Sequence, residues 1–352
     1  MQINDLLVRM RDVASSDLIL TTGSPPQYRI NGLLQPFGSE SLSAADTRGF
    51  VDALVAAPDR AVLEEERSID FSKGLPGIAR FRFNVYYQRD SLALAIRIIP
   101  FEIPPFEELG VPEITRALAD RPHGLVLITG PAGSGKSTTM AAMIDHINTT
   151  RNLHVVCIED PIEYIHHHRS SVVDQREIGE DARTFTEALR SVFRQSPDVI
   201  MVGELRDLET IALALTLAET GHLIMGTLHT QDTTNAISRI IDVFPTGQQQ
   251  QIMTQLSLTL IGIIAQQLLA TSDGKGRVLA YEVLNVDNAI SNLIREGQLQ
   301  QLYSVIQTGR SRGMVTMNES LQRLHNDGLV DAETALQCSP RPKELARLIN
   351  VQ

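Results

Sequence analysis

Gly130-Pro131-Ala132-Gly133-Ser134-Gly135-Lys136-Ser137-Thr138 follows the apolar run Leu125-Val126-Leu127-Ile128 and opens a segment with helical apolar spacing. A strand that turns through glycines into a helix is the order a nucleotide-phosphate cradle requires. Glycines let the backbone close around an anion, and amides at the helix start point at phosphate oxygens. Lys136 can bridge the terminal phosphates and the Ser137 hydroxyl can hold Mg2+. The alternative is a glycine-rich structural turn, against which the strand, loop and helix context argues.

Outward from this loop, apolar runs alternate with helical segments between Phe106 and about Leu269: Leu125 to Ile128, Val155 to Ile158, Val199 to Val202, Leu223 to Met225 and Ile263 to Leu269. Such alternation predicts a mostly parallel sheet covered by helices. The first hundred residues carry strand and hairpin signals instead: Tyr28-Arg29-Ile30 before an Asn31-Gly32 turn and Leu33-Leu34, then Arg80 to Tyr87 and Leu92 to Ile99. One helix is expected between Ala44 and Glu66. Pro100, Pro104 and Pro105 crowd together and predict an extended connection. After Ser272-Asp273-Gly274-Lys275-Gly276 and a strand over Val278 to Val283, the remainder reads as short helices ending near Ile349. The expected organisation is therefore a small α+β domain over residues 1–100, a hinge over 101–105, an α/β nucleotide-binding domain over 106–270 and a mainly helical region over 271–352.

Composition narrows the function. The chain has 352 residues, 43% of them hydrophobic, and a formal net charge of −11. An acidic balance disfavours a protein whose main work is gripping a phosphate backbone, so no nucleic acid is expected as a partner. Apolar runs are short, and none approaches the roughly 20 residues that span a bilayer. Met1-Gln2-Ile3-Asn4-Asp5 lacks a basic region followed by an apolar core, which points to the cytoplasm. Cys157 and Cys338 are read as ordinary thiols.

A phosphate loop says nucleotide; the acids opposite it say what is done with the nucleotide. Cys157-Ile158-Glu159-Asp160-Pro161-Ile162-Glu163 ends a β-rich run in three carboxylates, which would emerge at the carboxyl edge of the sheet, or else form a solvated acidic loop. Asp198-Val199-Ile200-Met201-Val202-Gly203-Glu204 places an acid at the far end of a buried strand, where it can organise Mg2+ or its water. In Thr220-Gly221-His222-Leu223-Ile224-Met225-Gly226-Thr227-Leu228-His229-Thr230, histidines flank a strand and either report the γ-phosphate or serve structure. The triplet His166-His167-His168 is read as an exposed loop, because adjacent positions on a strand do not converge on one metal.

These motifs, in this order, resemble the secretion-type ATPases of type IV pilus and type II secretion systems, and most of all the pilus retraction ATPases of the PilT group. The likeness runs from Ser16-Asp17-Leu18 and Pro25-Pro26 through Ile158 to Glu163, Gly203-Glu204-Leu205-Arg206-Asp207-Leu208-Glu209-Thr210 and Ala218-Glu219-Thr220-Gly221-His222, to Asn292-Leu293-Ile294-Arg295-Glu296 and Ile306-Gln307-Thr308-Gly309. The resemblance implies a PAS-like N-terminal domain, a RecA-like P-loop ATPase domain and a C-terminal helical extension. It implies that the stretch Gly130 to Thr138 binds ATP, that Ser137 and Glu204 hold Mg2+, in part through water, and that Glu163 polarises the attacking water. It makes His222 and His229 a histidine box and Arg82 and Arg97 arginines that reach the γ-phosphate, offsetting charge on the transferring phosphoryl group; the alternative for both is a surface strand charge.

The same resemblance implies a homohexamer at the cytoplasmic face of the inner membrane. It would turn ATP hydrolysis into pilus retraction and twitching motility by acting on an inner-membrane platform protein, with a paralogous retraction ATPase as a further partner. The chain departs from the family in two places. It has two cysteines, which excludes the four-cysteine zinc site of assembly ATPases, and Ala289-Ile290-Ser291 stands where retraction ATPases commonly read Ala-Ile-Arg. Competing readings are an accessory PilU-like retraction ATPase, a nucleic-acid translocase and a nucleotide-controlled scaffold.

Overall fold

The computed structural model describes residues 2–30, 33–75, 79–99, 103–274 and 276–350. The chain divides into two units, Met1–Glu102 with Glu163–Ile165, and Ile103–Ile162 with His166–Gln352. The Asn31-Gly32 turn, Pro100 and residues 101–102 of the expected hinge lie outside the described residues. Pro104 and Pro105 lie inside, and Pro105 precedes a short helix, Phe106–Leu109.

The first unit is built on an antiparallel sheet of β1 (Asp17–Leu20), β2 (Gln27–Ile30), β3 (Leu33–Pro36), β4 (Ser68–Leu75), β5 (Ala79–Gln88) and β6 (Ser91–Ile99), in the order β3-β2-β1-β6-β5-β4. Alternation decides its two faces: Phe81, Phe83 and Val85 of β5 point into the core, and Arg82 between them is exposed. Leu6, Leu7 and Met10 of the helix Ile3–Asp12 join the same core. The single helix expected between Ala44 and Glu66 is two, Ala44–Leu54 and Ala57–Glu66. Val55 is extended, and Pro58 sits in the first turn of the second helix, where its missing N–H costs nothing.

The second unit carries β7 (Gly124–Thr129), β8 (His154–Glu159), β9 (Val172–Glu177), β10 (Val199–Val202), β11 (Leu223–Leu228), β12 (Leu260–Ala270) and β13 (Arg277–Asn285), in the order β13-β12-β7-β11-β10-β8-β9. Neighbours are parallel throughout except β12 with β13, which are antiparallel. Every residue of β7, β10 and β11 is buried, the pattern of a parallel sheet covered on both faces. Met140, Met143, Ile144 and Ile147 cover one face, and Leu189, Ile211, Leu215, Ile237 and Ile240 the other. The sheet takes in β13, past the boundary expected at 270. The short helices after Asn288 pack through Met317, Leu321 and Leu345 against Leu269 and Ala280.

Glu282 of β13 joins these layers. It is buried, and its Oε1 accepts from Thr233 N at 2.9 Å and Thr233 Oγ1 at 2.7 Å, while Oε2 accepts from Met317 N at 3.3 Å. Thr233 and Met317 are the first residues of the helices Thr233–Asp242 and Met317–Asn326, whose leading amides have no partner inside the helix. One carboxylate therefore caps two helices. Among the described residues no helix is long and apolar enough to cross a membrane.

Candidate active site

Because β7, β11, β10 and β8 are consecutive and parallel, their carboxyl ends line one edge, and the loops that leave them are neighbours. The glycine-rich loop follows β7, His229 follows β11, Gly203-Glu204 follows β10, and Asp160 to Glu163 follow β8. Two strand spacings, about 10 Å, separate the ends of β7 and β10.

The loop's geometry needs its glycines. Gly130, Gly133 and Gly135 have φ of 147°, 76° and 91°. A Cβ on Gly130 would collide with the carbonyl oxygen of Gln266 and lie 2.5 Å from Ser134 Oγ. Gly135 ends the loop at the start of the helix Lys136–Thr150, so successive amides face the loop's hollow. Lys136 is buried and its Nζ donates to Gly130 O at 2.9 Å and Pro131 O at 3.0 Å, which holds the ammonium inside the loop. Ser134 Oγ is buried with no hydrogen-bond partner among the described residues, an orphan that a phosphate oxygen would satisfy. Ser137 is half-buried on the first turn of the helix.

Glu204 sits between a guanidinium and an imidazole: Arg206 Nη2 lies 2.7 Å and His229 Nε2 3.3 Å from its Oε2. Partial burial pushes its carboxyl up, but the Arg206 hydrogen bond and the His229 and Arg206 charges outweigh that and leave it below its ordinary value. The edge is braced by hydroxyls: Thr129 Oγ1 accepts from Thr230 N at 3.0 Å and lies 2.6 Å from Thr230 Oγ1, and Thr227 Oγ1 donates to Gly203 O. Gln266, fully buried on β12, exchanges hydrogen bonds with Thr139 beneath the phosphate loop. Sequence reasoning passed over Arg206, Thr129, Thr230 and Gln266. Of these only Arg206 carried a signal, its place two residues after the acid.

His222 is not brought to this edge. A strand has one carboxyl end, so the residue before β11 and the residue after it stand about 20 Å apart on opposite edges. His222 instead closes the end of the helix Leu208–Glu219, its Nδ1 3.0 Å from Leu217 O and 3.2 Å from Thr220 Oγ1. Within one chain, His222 and His229 therefore stand on opposite edges of the sheet. Within Gly203 to Thr210, Asp207 is likewise a cap, accepting from Thr210 N and Thr210 Oγ1, both at 2.9 Å. The histidine triplet is only partly the exposed loop expected: His166 is buried, and burial lowers its ring to a pKa of about 4. Glu163 is exposed on the loop after β8. Arg82 and Arg97 lie on the first unit's sheet, where Arg82 Nε is 3.8 Å from Asp70 Oδ1 and Arg97 Nε 2.9 Å from Asp17 Oδ1.

A parallel sheet with a glycine-rich loop, a lysine-headed helix and a carboxylate from the next strand but one on the same edge defines a P-loop ATPase. Residues 95–275 match the family of Type II/IV secretion system proteins. The chain belongs to that family, among its type IV pilus retraction ATPases, and is an ATP-hydrolysing enzyme. It is 43% identical to the type IV pilus retraction ATPase PilT of Pseudomonas aeruginosa, over 97% of this chain and 99% of that one. It is 40% identical to the type IV pilus ATPase PilU of the same organism, over 100% and 92%. A crystal structure of the pilus retraction motor PilT with bound ADP superposes with a TM-score of 0.93 at 48% identity, covering 99% of each chain.

Proposed function

We propose that this chain forms a homohexameric ring at the cytoplasmic face of the inner membrane and spends ATP on withdrawing a type IV pilus, acting on a membrane-embedded platform protein. The observation that carries the reading is the single edge on which the phosphate loop, His229 and Glu204 meet. Backbone amides from Gly130 to Thr138 and the Lys136 ammonium take up the triphosphate. Ser137 and Glu204 are hard oxygen donors of the kind Mg2+ selects, Glu204 reaching the ion in part through water, and the ion would offset phosphate charge. Glu163 draws a proton from the attacking water while Arg82 and Arg97 offset the charge that grows as the phosphoryl group leaves ADP. Such chemistry asks for placement and charge rather than a covalent intermediate, so domain motion can gate it.

Phosphate release is the test. Glu163→Gln and Glu204→Gln should each cut turnover about a thousandfold while ADP still binds, and Lys136→Ala should lose ADP itself. Undiminished turnover in either glutamine variant would overturn the assignment.

The accessory, PilU-like role is the second reading. It is favoured by Ser291, half-buried on the helix Asn288–Arg295, at the position where retraction ATPases commonly carry arginine. Expression of this chain alone in a retraction-null strain separates the two: recovered twitching supports the main motor, and recovery only together with a paralogue supports the accessory role.

A further inference from the structure

The segment that carries Glu163 leaves the sheet at Glu159 and re-enters it at Val172, and one side chain of β9 holds it at Glu159 and again at His166. Gln175 of β9 donates from Nε2 to Glu159 Oε1 at 2.9 Å and accepts at Oε1 from His166 N at 2.9 Å. The two bonds fix the amide's orientation, since a flipped amide would set oxygen against carboxylate and N–H against N–H. Two residues on, Glu177 accepts from Ile162 N at 3.4 Å. Strand geometry explains why these side chains act together. β8 and β9 are parallel with Cys157 opposite Gln175 and Glu159 opposite Glu177, so Gln175, Glu177 and Glu159 share one face of the sheet. Glu159, Ile162 and Glu177 are all buried and Gln175 is half-buried, so the carboxylate ends of these contacts are withdrawn from water. Arg176, on the other face, donates to Ser191 Oγ at 2.7 Å and ties β9 to the helix Phe185–Val192.

We propose that Gln175 is a positioning residue for hydrolysis: it closes residues 160–165 into a loop of fixed mouth, so that Glu163 meets the attacking water at a set place. In this role Gln175 acts through Glu163 and not on the nucleotide itself. The inference rests on the role given to Glu163 above. Without Gln175 the loop keeps its sequence, its acid and the Glu177 bond to Ile162, and loses one side-chain bond at each end.

Gln175→Met keeps side-chain length and removes both bonds. Turnover of ATP should fall about tenfold to a hundredfold, with the KM for ATP and the affinity for ADP within about twofold of the parent, because misplacing a water-activating group costs kcat more than ground-state binding. The deciding measurement is the pair Gln175→Met and Glu163→Gln. If Gln175 acts through Glu163, the double variant is no slower than Glu163→Gln alone. A double variant slower by the product of the single effects overturns the proposal, as does normal turnover in Gln175→Met. If Glu163→Gln itself turns over normally, the role of Glu163 fails rather than the clamp. Should Gln175→Met not fold, Gln175→Asn, one methylene too short to span both bonds, carries the same comparison.

Discussion

Arg82 and Arg97 stand directly opposite each other on the β5–β6 ladder, both exposed on the face away from the core. Like charges in such a position cost about 0.2–1 kcal/mol relative to neutral pairs, and the nearby Asp70 and Asp17 offset part of that cost. Arg97→Ala removes the repulsion and one exposed ion pair, and Asp17 keeps Arg29 at 3.4 Å. Its unfolding free energy should therefore stay within about 0.5 kcal/mol of the parent, while turnover falls about a thousandfold if the guanidinium meets the γ-phosphate. Calorimetry beside a phosphate-release assay gives both numbers, and intact turnover would make Arg97 a surface charge.

Two glycines of the phosphate loop separate crowding from backbone conformation. Gly133 has φ of 76° and open space around an added Cβ, whereas Gly130 has φ of 147° and the Gln266 carbonyl in the way. Gly133→Ala should cost about 1 kcal/mol through its left-handed backbone. Gly130→Ala should cost more, about 2–4 kcal/mol, as strain and overpacking combine, and should abolish ADP binding. Equal melting temperatures for the two variants would contradict the contact with β12.

The acid limb of turnover should report Glu204. Arg206 and His229 hold its carboxyl below the ordinary range, so the limb lies at a lower pH than an unpaired glutamate would give. His229→Gln removes one of the lowering charges, and the limb should move to higher pH. A pH series of kcat on the two proteins checks this, and an unmoved limb would separate His229 from the acid.

Glu282 predicts an opposite sign for stability. Burial raises its carboxyl pKa in the folded chain, with the Thr233 and Met317 hydrogen bonds working the other way. The folded state therefore holds this proton more tightly than the unfolded state, and the stability it contributes is present at low pH and declines as pH rises through the folded value. Subtracting the pH profile of Glu282→Gln from that of the parent isolates this term from carboxylates such as Asp287, whose lowered values act in reverse. The difference should shrink the parent's relative stability between about pH 4.5 and the raised value.

The central strands were legible because each is an unbroken apolar run between turn residues; Val199–Val202 coincides with its expected limits. β9 was not, since Val172-Val173-Asp174-Gln175-Arg176-Glu177 is an edge strand whose polar side chains do tertiary work invisible to periodicity. The phosphate loop and Glu204 could be read locally, as a motif and as an acid ending a buried run. The separation of His222 from His229 could not, because two residues flanking one strand look equivalent until strand direction puts them on opposite edges. The burial of His166 was hidden for a similar reason: its loop is drawn in by Gln175, nine positions later in the chain.

Gly130 rests against the carbonyl of Gln266, and Thr129 is joined to Thr230 across 101 positions of sequence. A ribosome must therefore have delivered most of the polypeptide before the nucleotide cradle gains its floor and its far wall. Half-synthesised chains carry the glycine motif without a finished pocket, so the capacity to burn fuel arrives late in the chain's birth, together with the layers that would turn that fuel into motion.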